Sequence, residues 1–402
     1  MSLPGAQALW RLAPEGVRKA AAPLITHGFQ SYARARARRT PDQGGDGPIK
    51  VVGYFSGSHG ISASARLCVR AFEALGAEVQ RVDITPDRFD FRQRLAAPTA
   101  AAAWIFHLNA PELLLAMAQL GPDRLLGPRY GYWAWELPRA PASWLKDAAV
   151  VDEIWAPSRY TAQAMDGAAA PVRVVPHPFF AEDYANVAGA PRQAAFQAVT
   201  LFDFKSSMAR KNPQGAIAAF ARAFGHDPHA RLTIKTQNGG DFPHLLAKLR
   251  AEAPANVAIV DEVWPYEAVK RLIAGADVLI SLHRGEGFGL TMAEAMALGA
   301  PVMATAFSGN LDFMDGTCGL MVPSSQIPVV DPQGIYRGQT WADPDIEAAA
   351  EGLKRLRAEP GLRQRLVEAG RRRLAETLSP RAWFVTLPAN VQAAARRAGA
   401  ST

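Results

Sequence analysis

Short β-branched apolar runs alternate with helical stretches along this chain in two successive series, and that alternation leaves few folds open. IKVVGYF (49–55) ends in a glycine-bearing turn and a helical pattern that stops at Gly76. AEVQRVDI, AAWIFHLN, RYGYWAW and the front of VDEIWAPSRYTAQAM continue the first series. VRVVPHPFFAEDYANVAGAPRQ (172–193) breaks the rhythm with prolines and a polar loop. AVTLFDF, ARLTIKTQ, NVAIVDEV, DVLISLHR and PVMATA then form a second series, again with helices between. Strands that alternate with helices call for parallel sheets, so the expectation is an α/β chain of two Rossmann-like, doubly wound domains facing across a cleft. Ligands of such sheets bind outside the carboxyl ends of the strands.

The expected boundaries are a basic arm and linker over 1–47, a first domain over 48–178, a second over 179–378, and a final helix over 379–402 crossing back to the first. The chain has 402 residues, 49% of them hydrophobic, enough for two substantial cores. Cys68 and Cys318 stand alone, without a CxxC or a His/Cys cluster, which suggests neither a disulfide framework nor a zinc site. A reducing cytoplasm is the simplest home. The opening residues lack a charged region followed by an unbroken apolar stretch, so they do not read as a secretory signal, and no segment reads as a membrane span. YARARARRT (32–40) concentrates four arginines, a basic arm suited to peripheral contact with anionic lipid at the inner face of a membrane. Without interleaved aromatics or a nucleic-acid motif, it does not point to nucleic acid.

Chemistry concentrates in HRGEGFGLTMAEAMALGAP (283–301). Strand DVLIS runs into a glycine turn, and a helix follows that Gly299 and Pro301 terminate. Gly287 and Gly289 permit the tight turn. Their amides, with those of Phe288, Leu290 and Thr291, form the N-terminal cradle that receives a phosphate. Glu286 precedes the cradle and Glu294 lies about one helical turn inside it. Each carboxylate can accept a pair of neighbouring sugar hydroxyls, so a diphosphate with a sugar at either end fits the stretch. A glutamate in a first helical turn can serve the helix dipole alone, but a cap requires neither the glycines nor the phenylalanine.

This stretch resembles the signature of the retaining GT-B glycosyltransferases of glycosyltransferase family 4, two glutamates separated by seven residues in EGFGLTMAE, followed by EAMALGAPVMAT. FSGNLDFMDGTCGLMVP and ARKNPQGAIAAFARAF resemble the family's glycine loop and basic loop. The resemblance implies a GT-B fold and a nucleotide-sugar donor. It implies that Glu294 binds the donor ribose and Glu286 the transferred sugar, while the backbone of Phe288, Gly289 and Leu290 holds sugar and diphosphate.

A helix terminus contributes at most about 2 kcal/mol, whereas rate enhancements begin near ~10⁶, or about 8 kcal/mol. Fixed cations must therefore help the departing diphosphate. FDFKSSMARKNPQGAIAAF places Lys205, Arg210 and Lys211 on one strand-to-helix turn. By resemblance Lys211 is the diphosphate-binding lysine. The family's arginine five residues earlier is here Ser206, leaving Arg210, Lys205 or Lys235 of TIKTQN to compensate.

In the amino-terminal half, GYFSGSHGISASAR resembles the family's phosphate-facing glycine loop, with Gly60 the position for close backbone approach and His59 beside it. RYGYWAWELPRAPASW lies where many family members carry a histidine. Here Trp133, Trp135 and Glu136 offer either a sugar platform or core packing with a surface ion pair. His107, ending WIFHLN, is a further acceptor-side candidate, and His177 a hinge residue. The expectation is a retaining glycosyltransferase that moves a sugar from a nucleotide-sugar donor to a glycan or lipid-linked acceptor. No DxD motif marks a metal and no cofactor is implied. The alternative is a non-catalytic nucleotide-sugar sensor or partner subunit. A Rossmann oxidoreductase would need GxGxxG with a following acid, and neither is present.

Overall fold

A computed structural model describes residues 10, 12–37, 47–56, 60–84, 93–189 and 195–399. In the first domain, strands β1 (Ile49–Gly53), β2 (Val79–Asp83), β3 (Ala103–Phe106), β4 (Arg129–Tyr132), β5 (Glu153–Ala156) and β6 (Val172–Val174) form one sheet in the order β2-β1-β3-β4-β5-β6. In the second, β7 (Phe196–Asp203), β8 (Ala230–Gln237), β9 (Val257–Asp261), β10 (Val278–Ser281), β11 (Val302–Thr305) and β12 (Leu320–Val322) order as β9-β8-β7-β10-β11-β12. Every pairing in both sheets is parallel. Central strands of such sheets are covered on both faces, which is why AWIF of β3 and VMAT of β11 are buried throughout. In each sheet the order reverses beside the first strand of its domain, the position outside whose carboxyl ends sheets of this kind take ligands.

Two segments depart from the expected layout. Residues Glu15–Arg36 form a helix, not a detached arm. Its Ala33, with the following Ala37, enters the core that holds Trp104 and Trp133. Gln30 donates to Pro111 O at 3.2 Å, and the Arg34 guanidinium grips Asp147 through two bonds of 2.6 and 3.0 Å. Residues 38–46, the rest of the expected arm and linker, lie outside the described residues. The second departure is an antiparallel pair, β13 (Ser324–Pro328) and β14 (Thr340–Pro344), placed between β12 and the next helix.

The chain's last helix, Ala389–Gly399, returns to the first domain. Trp383, Leu387, Val391 and Ala395 join the cluster of Ile49, Phe72 and Trp155, and Asn390 donates to Tyr130 Oη at 2.7 Å. No described helix is long and apolar enough to cross a membrane.

Candidate functional site

The strand β10 leads through Leu282–Gly289 into helix Leu290–Leu298. Gly289 takes φ +107°, and a Cβ there would meet Met292 Cε at 2.4 Å. The turn is clamped from beneath by the loop after β11. Ser308, itself in the strained left-handed region at φ +76°, accepts Glu286 N on its Oγ at 2.8 Å, and Gly309 N donates to Glu286 O at 2.9 Å. Met292 and Ala293 donate to Gly289 O, and no side chain caps the amides ahead of them. The helix start therefore presents Leu290 and Thr291 with their backbone dipoles aligned for an anion.

The first domain grips the same turn from the other side. Ser158 Oγ and Thr161 Oγ1 donate to Gly287 O at 2.6 and 3.2 Å. Arg159 N donates to Asp312 at 2.8 Å. A Cβ on Gly285 would lie 2.4 Å from Glu136 O. Residues 285–289 are thus a wall of the interdomain contact, and Phe288 reaches His177 edge-to-face at 4.8 Å between ring centroids.

Glu286 is buried between two cations. Lys211 Nζ lies 2.5 Å from Oε1 and Arg210 Nη1 3.2 Å from Oε2. Burial pushes this carboxyl upward, but Lys211, Arg210 and His283 outweigh it and hold Glu286 at about 2. It is ionised at neutral pH, a hydrogen-bond acceptor and a very weak base.

The four candidate cations divide by geometry. Lys211 flanks the carboxylate with about a fifth of its side chain exposed. It follows Ser207 (φ +66°) and precedes Asn212 (φ +52°), whose side chain caps helix Pro213–Phe224 and donates to Leu282 O. Arg210 is almost wholly enclosed. Its guanidinium donates to Gly285 O at 2.8 Å and Ser206 O at 3.0 Å, so it braces backbone as well as Glu286. Two expectations are corrected. Lys205 turns outward to an exposed ion pair with Asp241 at 3.0 Å. Lys235 is buried beneath Trp264 and donates to Thr236 O and Glu262 O at 2.9 and 2.5 Å, so it does not reach the Glu286 group. Ser206 Oγ turns back to Asp203 O at 2.8 Å.

Glu294 lies half-buried one turn into the helix. Tyr266 Oη donates to it at 2.6 Å and in turn sits 2.9 Å from Tyr184 Oη. Burial lifts Glu294 to about 7, against the opposing pull of Tyr266 and Lys270.

On the first domain's side, Trp135 and Glu136 stand at the contact, but Trp133 does not. Trp133 is fully buried against Trp144, so its expected part in a sugar platform is withdrawn. His107 is buried at the end of β3, with Nδ1 2.9 Å from Ser64 Oγ and its ring stacked on Tyr132. Burial, with His177 nearby, draws His107 down to about 3 and keeps the ring neutral. Gly60 opens helix Gly60–Ala74, and a Cβ there would meet nothing within 4 Å, so the close approach expected of it is not made by the chain itself. His59 lies outside the described residues.

Several residues of the site were missed. Tyr266 starts a helix after Pro265, and its place beside Glu294 follows only from the packing of two helices. Ser158 caps its own helix by accepting Thr161 N at 3.1 Å, and the bonds that Ser158 and Thr161 make to Gly287 are tertiary contacts that no local pattern encodes. Tyr336 lies between Gly334 and Gly338, and its place beside Glu136 follows from the fold and not from a local pattern.

Residues 203–330 match the family model described as Glycosyl transferases group 1. No curated protein matches the chain. Among solved structures, sucrose-phosphate synthase from Thermosynechococcus elongatus superposes with a TM-score of 0.62 at 16% identity, covering 89% of this chain and 100% of that one. Anabaena HepE in complex with UDP-glucose gives 0.59 at 13%, covering 88% and 100%. S. aureus TarM, solved with Fondaparinux, alpha-GlcNAc-glycerol and UDP, gives 0.52 at 13%, covering 71% and 54%, so the chain spans about half the length of TarM. The chain shares with these glycosyltransferases the GT-B fold, two parallel-sheet Rossmann-like domains, and over residues 203–330 it resembles the glycosyl transferases of group 1.

Proposed function

We propose that this chain is a glycosyltransferase that takes a sugar from a nucleotide-sugar donor and passes it, with retention of anomeric configuration, to a glycan or lipid-linked acceptor. The observation that carries this reading is the meeting of Lys211, Glu286 and the start of helix Leu290–Leu298 at the interdomain contact. The donor diphosphate lies over the amides of Gly289, Leu290 and Thr291, where the helix dipole favours negative charge. Lys211 neutralises the charge that grows as the glycosidic bond breaks. Glu294 accepts the ribose hydroxyls and Glu286 those of the transferred sugar. HepE is similar in fold and was solved with UDP-glucose, which supports a donor of this class.

Glu286, held at about 2, is too weak a base to take the acceptor's proton. The proton passes instead to an oxygen of the departing diphosphate, from the face that the acceptor approaches, and the configuration is retained. Lys211 and the helix terminus supply the positive charge, so the reading assigns no step to a divalent ion. The exposed Leu12, Val17 and Leu24 on the amino-terminal segment suit peripheral contact with a lipid surface, on the cytoplasmic side where lipid-linked acceptors would be met.

One observation favours a second reading, a non-catalytic nucleotide-sugar sensor: Glu286 already pairs with both Arg210 and Lys211, and Ser206 supplies no further cation. Incubation of the purified protein with a panel of nucleotide sugars and glycan acceptors, with EDTA present, separates the two. A transferase releases nucleoside diphosphate and forms a glycoside of the donor's own anomeric configuration by NMR. A sensor binds and releases none.

A further inference from the structure

The pair β13–β14 carries the loop 329–339 across the domain boundary. On the second domain it packs on the basic turn: Asp331 accepts from Ser207 Oγ at 3.1 Å, and Gln333 accepts Met208 N and donates to Phe204 O, both at 2.6 Å. On the first domain, Gln339 exchanges two bonds of 2.8 and 2.9 Å with the backbone of Arg139. Between these anchors Gly334 (φ +68°) and Gly338 (φ +66°) bracket the excursion that carries Tyr336 into a buried cluster with Leu137 and Trp341.

Tyr336 Oη donates to Glu136 Oε2 at 2.9 Å. The other oxygen of Glu136 lies 4.0 Å from Arg210 Nη2, beyond hydrogen-bond distance, while the same guanidinium holds Glu286 at 3.2 Å. Two carboxylates from opposite domains therefore flank one arginine. Both oxygens of Glu286 are engaged by cations, whereas Glu136 is engaged by a neutral hydroxyl on one oxygen. That leaves Glu136 Oε1 able to accept from a polyol. Without the tyrosine bond, the short gap to Arg210 favours collapse into an ion pair, because an opposite charge at about 4 Å attracts strongly when partly buried.

We propose that Tyr336 is a positioning residue: it holds Glu136 off Arg210, so that this carboxylate receives a hydroxyl of the sugar being transferred and makes the site favour a nucleotide sugar over the bare nucleoside diphosphate. This rests on the reading of the cleft as a nucleotide-sugar site.

The test is calorimetric, with UDP, GDP and ADP and their glucose and N-acetylglucosamine esters as probes. Tyr336→Phe keeps the ring packing and removes one hydrogen bond, and Glu136→Gln keeps the shape and removes the charge. Each is expected to weaken the sugar ester about tenfold relative to its own diphosphate, the size expected for one hydrogen bond to a charged group. The double variant should lose no more than either single one, since both act through one carboxylate. Equal weakening of ester and diphosphate, or no change in either, would overturn the proposal while leaving the cleft reading in place. Failure of every probe to bind the unaltered protein would overturn both.

Discussion

Tyr266 donates a 2.6 Å hydrogen bond to the Glu294 carboxylate from a neighbouring helix. The free protein thus occupies with a tyrosine the carboxylate assigned to the donor ribose. Burial raises Glu294 to about 7, so its charge changes near neutral pH. Only the ionised form accepts two hydroxyls, so nucleotide affinity should rise with pH up to about 7 and level off above it. Calorimetry on the native protein and Glu294→Gln across this range checks it, the difference removing the titration of the nucleotide itself. Tyr266→Phe removes a bond that favours the charged form, and should move the midpoint upward.

Glu286 shifts the other way. Its native carboxyl is held at about 2 by Lys211 and Arg210 against burial, below its ordinary value near 4.5. Stability from this group is therefore complete above about pH 4.5 and is lost as pH falls toward about 2. The shift corresponds to on the order of 3 kcal/mol. In urea denaturation, the native protein should lose stability relative to Glu286→Gln between about pH 5 and pH 3. A constant difference would contradict the ion-pair assignment.

Adjacent cations should behave differently. Arg210 is enclosed and bonded to Gly285 O, Ser206 O and Glu286, so Arg210→Ala should cost about 3–5 kcal/mol of stability. Lys211 retains some exposure, and Lys211→Ala should cost under about 2 kcal/mol yet lower kcat by roughly 10²–10³. Urea melts and steady-state kinetics on both variants measure the contrast. Similar stability losses would remove the distinction between brace and diphosphate ligand.

Gly285 is required by the neighbouring domain. A Cβ there would lie 2.4 Å from the Glu136 carbonyl, and backbone cannot yield as a flexible side chain can. Gly285→Ala should cost about 1–3 kcal/mol and should lower turnover, since the same contact sets Glu136. Gly316→Ala, whose Cβ would meet nothing within 4 Å, is the matched control in thermal melts.

The two parallel sheets were legible because each strand and its following helix are local patterns, and ARLTIKTQ maps onto β8 residue for residue. Glu286 through Thr291 were legible for the same reason, as a strand, a turn and a helix start in continuous chain. Direction was not. Lys205 and Lys211 occupy one turn, yet the first faces Asp241 and the second Glu286, a difference set by tertiary packing. Trp133 and Trp135 are two apart, but the strand β4 ends at Tyr132, so the alternation that would assign their faces no longer applies. The link between Tyr336 and Glu136 spans 200 residues and two domains, and no periodicity encodes it.

The most direct measurement is a crystal structure of the protein with the nucleoside diphosphate that raises its melting temperature most. The expected result is a diphosphate within hydrogen-bond distance of the Gly289, Leu290 or Thr291 amides and of Lys211 Nζ, with the ribose hydroxyls on Glu294. A nucleotide bound elsewhere, with the Lys211–Glu286 pair and the Tyr266–Glu294 bond untouched, would contradict it.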